Sequence, residues 1–389
     1  MVKNNPRFSL AQLEEYKVET VPDAEIVVNA NETNWPLAKS LVAKIQEEVS
    51  SFAFNRYPPM HAESLCQALA EGLRVKPESI ILGNGSSELL EKACYAFGGQ
   101  GKKIAFPYPS FSMYGTYATM ADSIPLPYPL TKDGFVDPRE VINFCAQEKP
   151  SLLIICNPNN PTGNYNTVEA MEEILRNVEC PIIMDEAYME FVDPDDIFDR
   201  LSTLSLLKNY DNFLCLSTFS KAYGLAGMRI GYGTGSEELI ATMQKVLLPY
   251  HVNNFTLKVA ELTYREPELL KTRVAAVIRQ RKIVAQKLVE LGFKVFPSAT
   301  NFLMLQPTEE LAFAFTQYAI KEGYELEGDN LVLAGGMVFA KLLGAGILVR
   351  NFTKHPALPG AIRLSLGTED ENIKVMAALT AMCQEVKEG

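Results

Sequence analysis

The deciding stretch of this chain is Ser217-Thr218-Phe219-Ser220-Lys221-Ala222-Tyr223-Gly224-Leu225-Ala226-Gly227-Met228-Arg229. Lys221 stands there among hydroxyl residues and glycines, directly after the apolar run 212–216. An ammonium group that follows a buried strand is costly unless it is used. Desolvation and a neighbouring cation both lower the pKa of a lysine and free its amine to attack a carbonyl. The stretch therefore predicts that Lys221 forms a Schiff base, with Arg229 as the neighbouring cation.

The overall composition narrows the class of protein. The chain has 389 residues, 47% of them hydrophobic, a formal net charge of −11 and a pI near 5.0. It is long enough for a large core, and its acidity argues against nucleic acid or an anionic membrane as the main partner. The seven cysteines and three histidines lack ligand spacing, so no metal is predicted. Without an apolar leader or a run of about 18 apolar residues, we expect a cytoplasmic protein.

Strand-like and helical patterns alternate from residue 80 onward. Near-continuous apolar runs occur at 80–82, 103–106, 152–156, 182–185 and 212–217. Such runs, separated by helices, predict an α/β fold with a mostly parallel sheet covered by helices on both faces. Ligands bind at the carboxyl ends of the strands in sheets of this kind. The unusual residues of this chain follow those ends.

The pattern changes after about residue 245. A long helical segment at about 267–291 is predicted to link two domains. We expect an N-terminal arm, a large domain and a smaller α+β C-terminal domain, with the bounds 1–30, 31–265 and 266–389. A short helix is predicted over 336–343.

Two further motifs follow neighbouring strand ends. The Asn- and Pro-rich segment 157–164 comes after the run 152–156, and Asp185-Glu186-Ala187-Tyr188 closes the run 182–185. Singly, each has an ordinary explanation, a turn-rich loop or a helix N-cap. Together with Lys221, in order and spacing, they resemble the aspartate-aminotransferase superfamily of pyridoxal-phosphate (PLP) enzymes of fold type I, and most closely its histidinol-phosphate aminotransferase branch.

The resemblance extends from about Asn29 to Ala377. The motifs that show it are Asn29-Ala30-Asn31-Glu32, Arg56-Tyr57-Pro58, Ser112-Met113-Tyr114, Asn157 to Gly163, Asp185 to Tyr188, Ser220-Lys221, Val349-Arg350 and Ile362-Arg363-Leu364-Ser365-Leu366-Gly367-Thr368. Ser87 stands where the branch commonly has aspartate. About 15 to 20 residues around 322–337 are extra relative to the branch.

The resemblance implies how the cofactor would be held. PLP would form a Schiff base with Lys221, which would also move a proton at the substrate Cα. Asp185 would pair with the pyridine nitrogen of the cofactor. Asn160 and Tyr188 would hydrogen-bond the ring oxygen. Phe111 stands where the family usually has a tyrosine stacked on the ring, and a phenyl ring can still cover it.

The resemblance also implies a phosphate site and a homodimer. The phosphate ligands would come from the strand-to-helix turn and from the stretch after the lysine strand, namely Gly85, Ser86, Ser87, Thr218, Ser220 and Arg229. Plain N-capping is the alternative explanation for the two serines. Tyr57 would reach the phosphate bound by the neighbouring subunit, which implies a homodimer.

Substrate binding is assigned by the same resemblance to Arg363 and Arg350, which imply an anionic substrate. Asn31 and Tyr16 are further candidates, and a surface salt bridge is the alternative for either arginine. The implied reaction moves an amino group between a small-molecule donor, histidinol phosphate first, and a 2-oxo acid acceptor, 2-oxoglutarate. An aromatic aminotransferase, a threonine-phosphate decarboxylase-like lyase and, remotely, a non-catalytic PLP-binding sensor remain as alternatives. The sequence does not show which Cα bond breaks, because that depends on its alignment with the ring.

Overall fold

The computed structural model describes residues 7–11, 13–15, 24–193, 201–323 and 329–388. The strands within these residues are β1 (Ile26–Val28), β2 (Ile80–Gly83), β3 (Lys103–Tyr108), β4 (Ile124–Pro129), β5 (Leu152–Cys156), β6 (Ile182–Asp185), β7 (Phe213–Thr218), β8 (Gly231–Gly235), β9 (Phe293–Val295), β10 (Phe302–Pro307), β11 (Ile347–Phe352) and β12 (Ala361–Ser365). The helices are α1 (Phe8–Ala11), α2 (Lys39–Val49), α3 (Glu63–Leu73), α4 (Ser86–Phe97), α5 (Met113–Met120), α6 (Pro138–Glu148), α7 (Val168–Asn177), α8 (Glu237–Gln244), α9 (Asn254–Tyr264), α10 (Pro267–Leu291), α11 (Glu309–Lys321), α12 (Asn330–Gly344) and α13 (Glu369–Glu388).

The larger sheet has seven strands in the order β2-β8-β7-β6-β5-β3-β4. The pairs among β3 to β7 are parallel, and β8 runs antiparallel to both of its neighbours. All five residues of β5 are buried because the strand is covered on both faces. Leu152 and Ile154 pack in one core and Leu153 and Ile155 in another, on opposite sides of the sheet. The predicted α/β fold, with a mostly parallel sheet between helices, is confirmed.

The smaller sheet has five strands in the order β1-β11-β12-β10-β9. β1 pairs parallel with β11, and the other pairs are antiparallel. The segment 1–30, predicted as an arm, thus contributes an edge strand to this sheet. The predicted domain bounds themselves stay a prediction. α10 spans the predicted linking helix, from Pro267 to Leu291.

α12 is longer than the sequence pattern indicates. It begins at Asn330 rather than 336, and its first turn is capped by Asp329, whose Oδ1 accepts the Val332 N–H at 2.8 Å. Most of the described part of the extra segment 322–337 is therefore helical. The cap is a local signal for this start, but Gly335 and Gly336 interrupt the helical pattern.

None of the described helices is both long and apolar enough to cross a membrane. All seven cysteines are free, and six of them are buried. Among the described residues, no group of three or more His, Cys, Asp or Glu side chains is arranged to hold a metal ion.

Two neighbouring buried glutamates differ in how well their carboxylates are bonded. Glu186 accepts hydrogen bonds from the Thr203 amide at 2.8 Å and from Thr203 Oγ1 at 2.6 Å, and also from Ser202 and Cys215. Glu190 Oε2 is buried without a hydrogen-bond partner among the described residues. Burial, with a smaller contribution from the Glu186 charge, raises the pKa of Glu190 to about 8. Glu190 therefore stays protonated at neutral pH.

Replacing Glu190 by glutamine should stabilise the protein at neutral pH. Below the unfolded-state pKa of 4.5 both states are protonated and the two proteins should be equally stable. As pH rises from 4.5 through about 8, the wild type loses stability because only its unfolded state ionises. The glutamine variant does not lose stability in this pH range. At pH 7 its free energy of unfolding should therefore exceed that of the wild type by about 3 kcal/mol. Urea unfolding at several pH values measures the difference.

The control for this comparison is Glu238→Gln, at an exposed glutamate on α8. It should follow the wild-type pH dependence. Equal pH dependence of the wild type and the Glu190→Gln variant would contradict the assigned protonation state.

Candidate active site

Asp185 and Lys221 meet at one edge of the larger sheet because they follow the adjacent parallel strands β6 and β7. Asp185 is buried; its Oδ2 accepts the Tyr114 hydroxyl at 2.7 Å and its Oδ1 accepts the Ala187 N–H at 3.3 Å. Burial raises the pKa of this carboxyl, and the two hydrogen bonds oppose the rise. A buried carboxylate with fixed donors on one side is suited to pair with a cationic ring nitrogen.

Tyr114 is a site residue to which the sequence analysis gave no role. It is fully buried on α5, 71 positions from Asp185 in the chain. Phe111 packs edge-on against it, with ring centroids 5.5 Å apart. Its sequence signal is its place in the motif Ser112-Met113-Tyr114, which does not predict a contact with a distant carboxylate.

Lys221 has the depressed pKa that its sequence context predicts. Its Nζ donates to Ala30 O at 3.0 Å and lies 6.0 Å from the centroid of the Tyr188 ring. Burial, then the charge of Arg363 and to a smaller extent that of Arg229, lower the pKa of the amine to about 8 against the opposing charge of Glu32. About a tenth of the amine is therefore neutral at pH 7, far more than for an ordinary lysine.

Beside Lys221, the N-terminus of α4 with Gly85, Ser220 and Arg229 forms a group of residues suited to an anion, which we call the anion cradle. α4 begins at Ser86, directly after Gly85, and the Arg229 guanidinium lies close to this turn. Gly85 has φ +78°, a conformation that favours glycine, and a Cβ here would lie only 2.7 Å from Arg229 Nη2, so the guanidinium would have to shift. Arg229 Nη1 also donates to Ser220 Oγ at 3.4 Å.

Two predicted phosphate ligands have other partners in this structure. Thr218 Oγ1 accepts the Ser220 N–H at 3.1 Å and donates to Ile230 O at 3.5 Å. Ser87 hydrogen-bonds Tyr117, whose phenol pKa is raised by burial and lowered in part by that bond. Thr218 thus holds the backbone of Ser220 in place, and the side chain of Ser87 is bonded to Tyr117.

Arg363 connects the smaller sheet to the larger one. Its Nη1 donates to Asn160 Oδ1 at 2.6 Å, and its Nη2 donates to Asn29 O at 2.7 Å. The guanidinium lies 5.3 Å from the Phe302 ring centroid and 5.8 Å from that of Phe352. These contacts fix the cation close to the Lys221 amine.

Arg350 lies directly beside Arg363. The two are register partners in the antiparallel pair β11–β12, so their side chains project from the same face of the smaller sheet. Arg350 is half-buried. The predicted pair of substrate arginines is thus placed together, although the two residues are thirteen positions apart in the sequence.

Asn31 joins three elements. It has φ +55°, its Nδ2 donates to Tyr188 Oη at 2.9 Å, and its Oδ1 accepts the Ser365 hydroxyl at 3.0 Å. Its carbonyl accepts Asn301 Nδ2 at 3.0 Å. Burial raises the pKa of Tyr188 to about 12, so its hydroxyl keeps its proton at neutral pH.

Tyr57 is not part of this cluster. Tyr57 is 80% exposed and stacks on Tyr250 with ring centroids 4.7 Å apart. Tyr16 lies outside the described residues.

The donor set fits PLP. The site supplies an amine of depressed pKa, a buried carboxylate for the ring nitrogen and a cradle that a Cβ on Gly85 would fill.

Comparisons with known proteins agree with this geometry. The family model for aminotransferase class I and II matches residues 25–379. Histidinol-phosphate aminotransferase from Thermoanaerobacter sp. strain X514 is 32% identical over 96% of this chain and 97% of its own length.

Among solved structures, histidinol-phosphate aminotransferase from Sinorhizobium meliloti, in complex with pyridoxal-5′-phosphate, has a TM-score of 0.82 at 20% identity, over 99% of this chain and 98% of that one. A decarboxylase from Sulfurospirillum multivorans has a TM-score of 0.75 at 26% identity, over 93% and 89%.

The apoprotein should reveal the depressed pKa of Lys221. We expect acetylation of this amine by acetic anhydride to rise with an apparent pKa near 8. In Arg363→Gln the curve should shift to higher pH, because the removed cation disfavours the ammonium form. Peptide mass spectrometry across pH 6 to 10 measures both curves. Labelling that begins only near the ordinary lysine pKa of about 10.4 would contradict the assignment.

The matching family model covers nearly the whole chain, and the site contains the groups that its cofactor requires. The chain therefore belongs to the aminotransferase class I and II family and is a PLP-dependent transaminase.

Proposed function

We propose that this transaminase moves an amino group between histidinol phosphate and 2-oxoglutarate, with Lys221 as the residue that binds the cofactor. The observation that supports it most directly is the placement of Lys221, Asp185 and the Arg363–Arg350 pair around one sheet edge. The donor is suggested by the full-length similarity to a protein named histidinol-phosphate aminotransferase.

The cofactor, when bound, supplies an electron sink that stabilises negative charge at the substrate Cα. Lys221 Nζ would hold the aldehyde carbon of the cofactor, with water as the leaving group, and once a substrate amine has displaced it, the lysine would accept and return the Cα proton. The depressed pKa of Lys221 suits this work, since a base is most effective when its pKa is near the working pH. Asp185, fixed by Tyr114, would pair with the ring nitrogen of the cofactor and keep it protonated.

The remaining contacts orient the cofactor. Tyr188 and Asn160 donate hydrogen bonds to the ring oxygen, and Phe111 covers one ring face. The α4 N-terminus with Gly85, Ser86 and Ser87, together with Ser220 and Arg229, binds the phosphate. Thr218 supports this cradle through Ser220.

Arg363 and Arg350 bind the anionic group of the substrate, and Asn31 lies beside them. Two guanidinium groups on one face can bind carboxylate or phosphate oxygens in a bidentate manner. Arg363 is already oriented by its bonds to Asn160 and Asn29, so little side-chain entropy is lost when the anion binds.

Mixing the holoenzyme with single amino donors tests the reaction. Histidinol phosphate should change the spectrum of the bound cofactor and yield one equivalent of the carbonyl product by mass spectrometry. Phenylalanine and tyrosine should do so at least tenfold more slowly. A faster reaction with the aromatic amino acids would support the aromatic aminotransferase, and release of carbon dioxide would support the lyase, the activity class of the similar decarboxylase.

Lys221→Ala should abolish both the reaction and covalent attachment of the cofactor. Borohydride treatment of the wild type should attach the cofactor's mass to the peptide that contains Lys221. Attachment to another peptide in either protein would refute the assigned role. A lack of product from every donor, with covalent attachment intact, would favour the non-catalytic sensor.

We further propose that the enzyme is a homodimer. Large apolar side chains are exposed on the loops before α3 and α9: Phe54 at 79%, Tyr57 at 80%, Leu248 at 68% and Tyr250 at 41%. Leu248 and Tyr250, together with Met60, help to line a cavity of about 860 Å³. An apolar face of this kind is typical of an interface between proteins. A second copy covering it would bring Tyr57 towards the neighbouring phosphate cradle.

Leu248→Glu should convert the dimer to a monomer, because it places a charge in the apolar face. Sedimentation should give about twice 43.2 kDa for the wild type and 43.2 kDa for the variant. Cofactor affinity should fall as well, since the partner's Tyr57 is lost. Phe313→Glu, at a 58% exposed position on α11, is the control and should stay dimeric. A monomeric wild type would refute the proposal.

A further inference from the structure

The loop between β11 and β12, residues 353–360, is held in one shape by its own hydrogen bonds. The Gly360 N–H donates to Thr353 O at 2.8 Å. The Thr353 amide and hydroxyl donate to Asn351 Oδ1 at 2.9 and 2.8 Å. Leu358 is buried in a small apolar cluster with Phe352 at its edge. The loop is therefore well packed beside the smaller sheet.

α12 supports this loop through direct backbone contact. A Cβ on Gly335 would lie 2.2 Å from Gly360 O, and a Cβ on Gly360 would lie 2.2 Å from Leu331 O. Only glycine allows so close an approach, and Gly360 also has φ +72°. Leu331 and Gly335 belong to the segment 322–337, which is extra relative to the family pattern. The extra helical residues thus fix the position of the loop.

The loop places His355 against the larger sheet. Its ring stacks on Tyr108, the last residue of β3, with centroids 5.4 Å apart and planes inclined by 28°. His355 Nδ1 accepts the Ala357 N–H at 3.2 Å, which fixes the ring orientation. The stack therefore connects the two sheets at a second point, separate from the bonds of Arg363.

Phe352 relates this stack to the substrate arginine. Its ring centroid lies 5.9 Å from that of His355 and 5.8 Å from the Arg363 guanidinium. A guanidinium is attracted to an aromatic face, so the orientation of Phe352 influences that of Arg363. Tyr108, His355, Phe352 and Arg363 form one continuous row of contacts.

We propose that the Tyr108–His355 stack is a positioning contact for substrate binding, which holds Phe352 and thereby Arg363 in the orientation that binds the substrate anion. This rests on the proposed function, because that function assigns the anion to Arg363. Tyr108 and His355 act through Phe352 and need touch neither cofactor nor substrate. Loss of the stack should therefore weaken anion binding and leave cofactor binding and the chemical step nearly unchanged.

The test compares the wild-type holoenzyme with His355→Ala, Tyr108→Ala, the double alanine variant and His355→Phe. Calorimetry gives the Kd of 2-oxoglutarate, steady-state kinetics give KM and kcat, and absorbance titration gives the Kd of the cofactor. Each single alanine variant should weaken 2-oxoglutarate binding about three- to tenfold and raise KM equally. Changes in kcat and cofactor Kd should stay within about twofold.

Two comparisons separate positioning from a general structural effect. His355→Phe keeps a stacking ring and should restore binding, and the double variant should bind no more weakly than either single variant, since both changes break one contact. Lys354→Ala, at an exposed neighbour in the loop, is the matched control and should bind as the wild type does.

Three results would overturn the proposal: unchanged binding in both alanine variants, no recovery in His355→Phe, or additive losses in the double variant. If His355→Ala does not fold, Tyr108→Ala and His355→Phe decide by the same criteria. Arg363→Gln distinguishes the anion-binding role of Arg363 from the positioning role of the Tyr108–His355 stack. If it abolishes binding while the stack variants do not weaken it, only the positioning role fails. If it leaves binding intact, the assignment of the anion to Arg363 fails, and the positioning role fails with it.

Discussion

The constraint on which this structure depends is the burial of β5, β6 and β7 on both faces. A parallel strand covered by helices on each side has no room for polar side chains along its length, so these collect where the strands end. Asp185 and Lys221 lie at two such ends. Their neighbourhood is therefore poor in water, which raises the pKa of the carboxyl and lowers that of the amine.

The smaller sheet completes the site through few but specific contacts. Arg363 bonds Asn160 in the larger sheet's loops, while Asn31 bonds Tyr188 and Ser365. Because β1 precedes Asn31 and pairs with β11, the N-terminal segment is fixed to the smaller sheet before it reaches the active site. A shift of the smaller sheet would thus move both Arg363 and the partner of Tyr188.

The sequence predicts what depends on local pattern. The apolar runs that became β5 and β6, and the positions of Asp185 and Lys221 after strands, required only neighbouring residues. The bonds between Tyr114 and Asp185, and between Asn31 and Tyr188, join residues 71 and 157 positions apart. Tertiary packing alone sets such pairings, so no pattern in one sequence indicates them. The roles of the site residues were inferred from a resemblance and remain predictions.

The sequence suggested Arg229 as the cation that lowers the pKa of Lys221, whereas burial contributes most and Arg363 more than Arg229. The difference matters because the two cations are proposed to bind different anions. Phosphate at the α4 N-terminus would neutralise Arg229, which has a small effect on the amine. A substrate anion bound to Arg363 would neutralise the cation that has the larger effect on the amine, and this would raise the pKa of Lys221. Substrate binding would then move the pKa of the amine further above neutral pH, so burial, the largest cause of the depression, would have to keep part of the amine neutral when the Cα proton is removed.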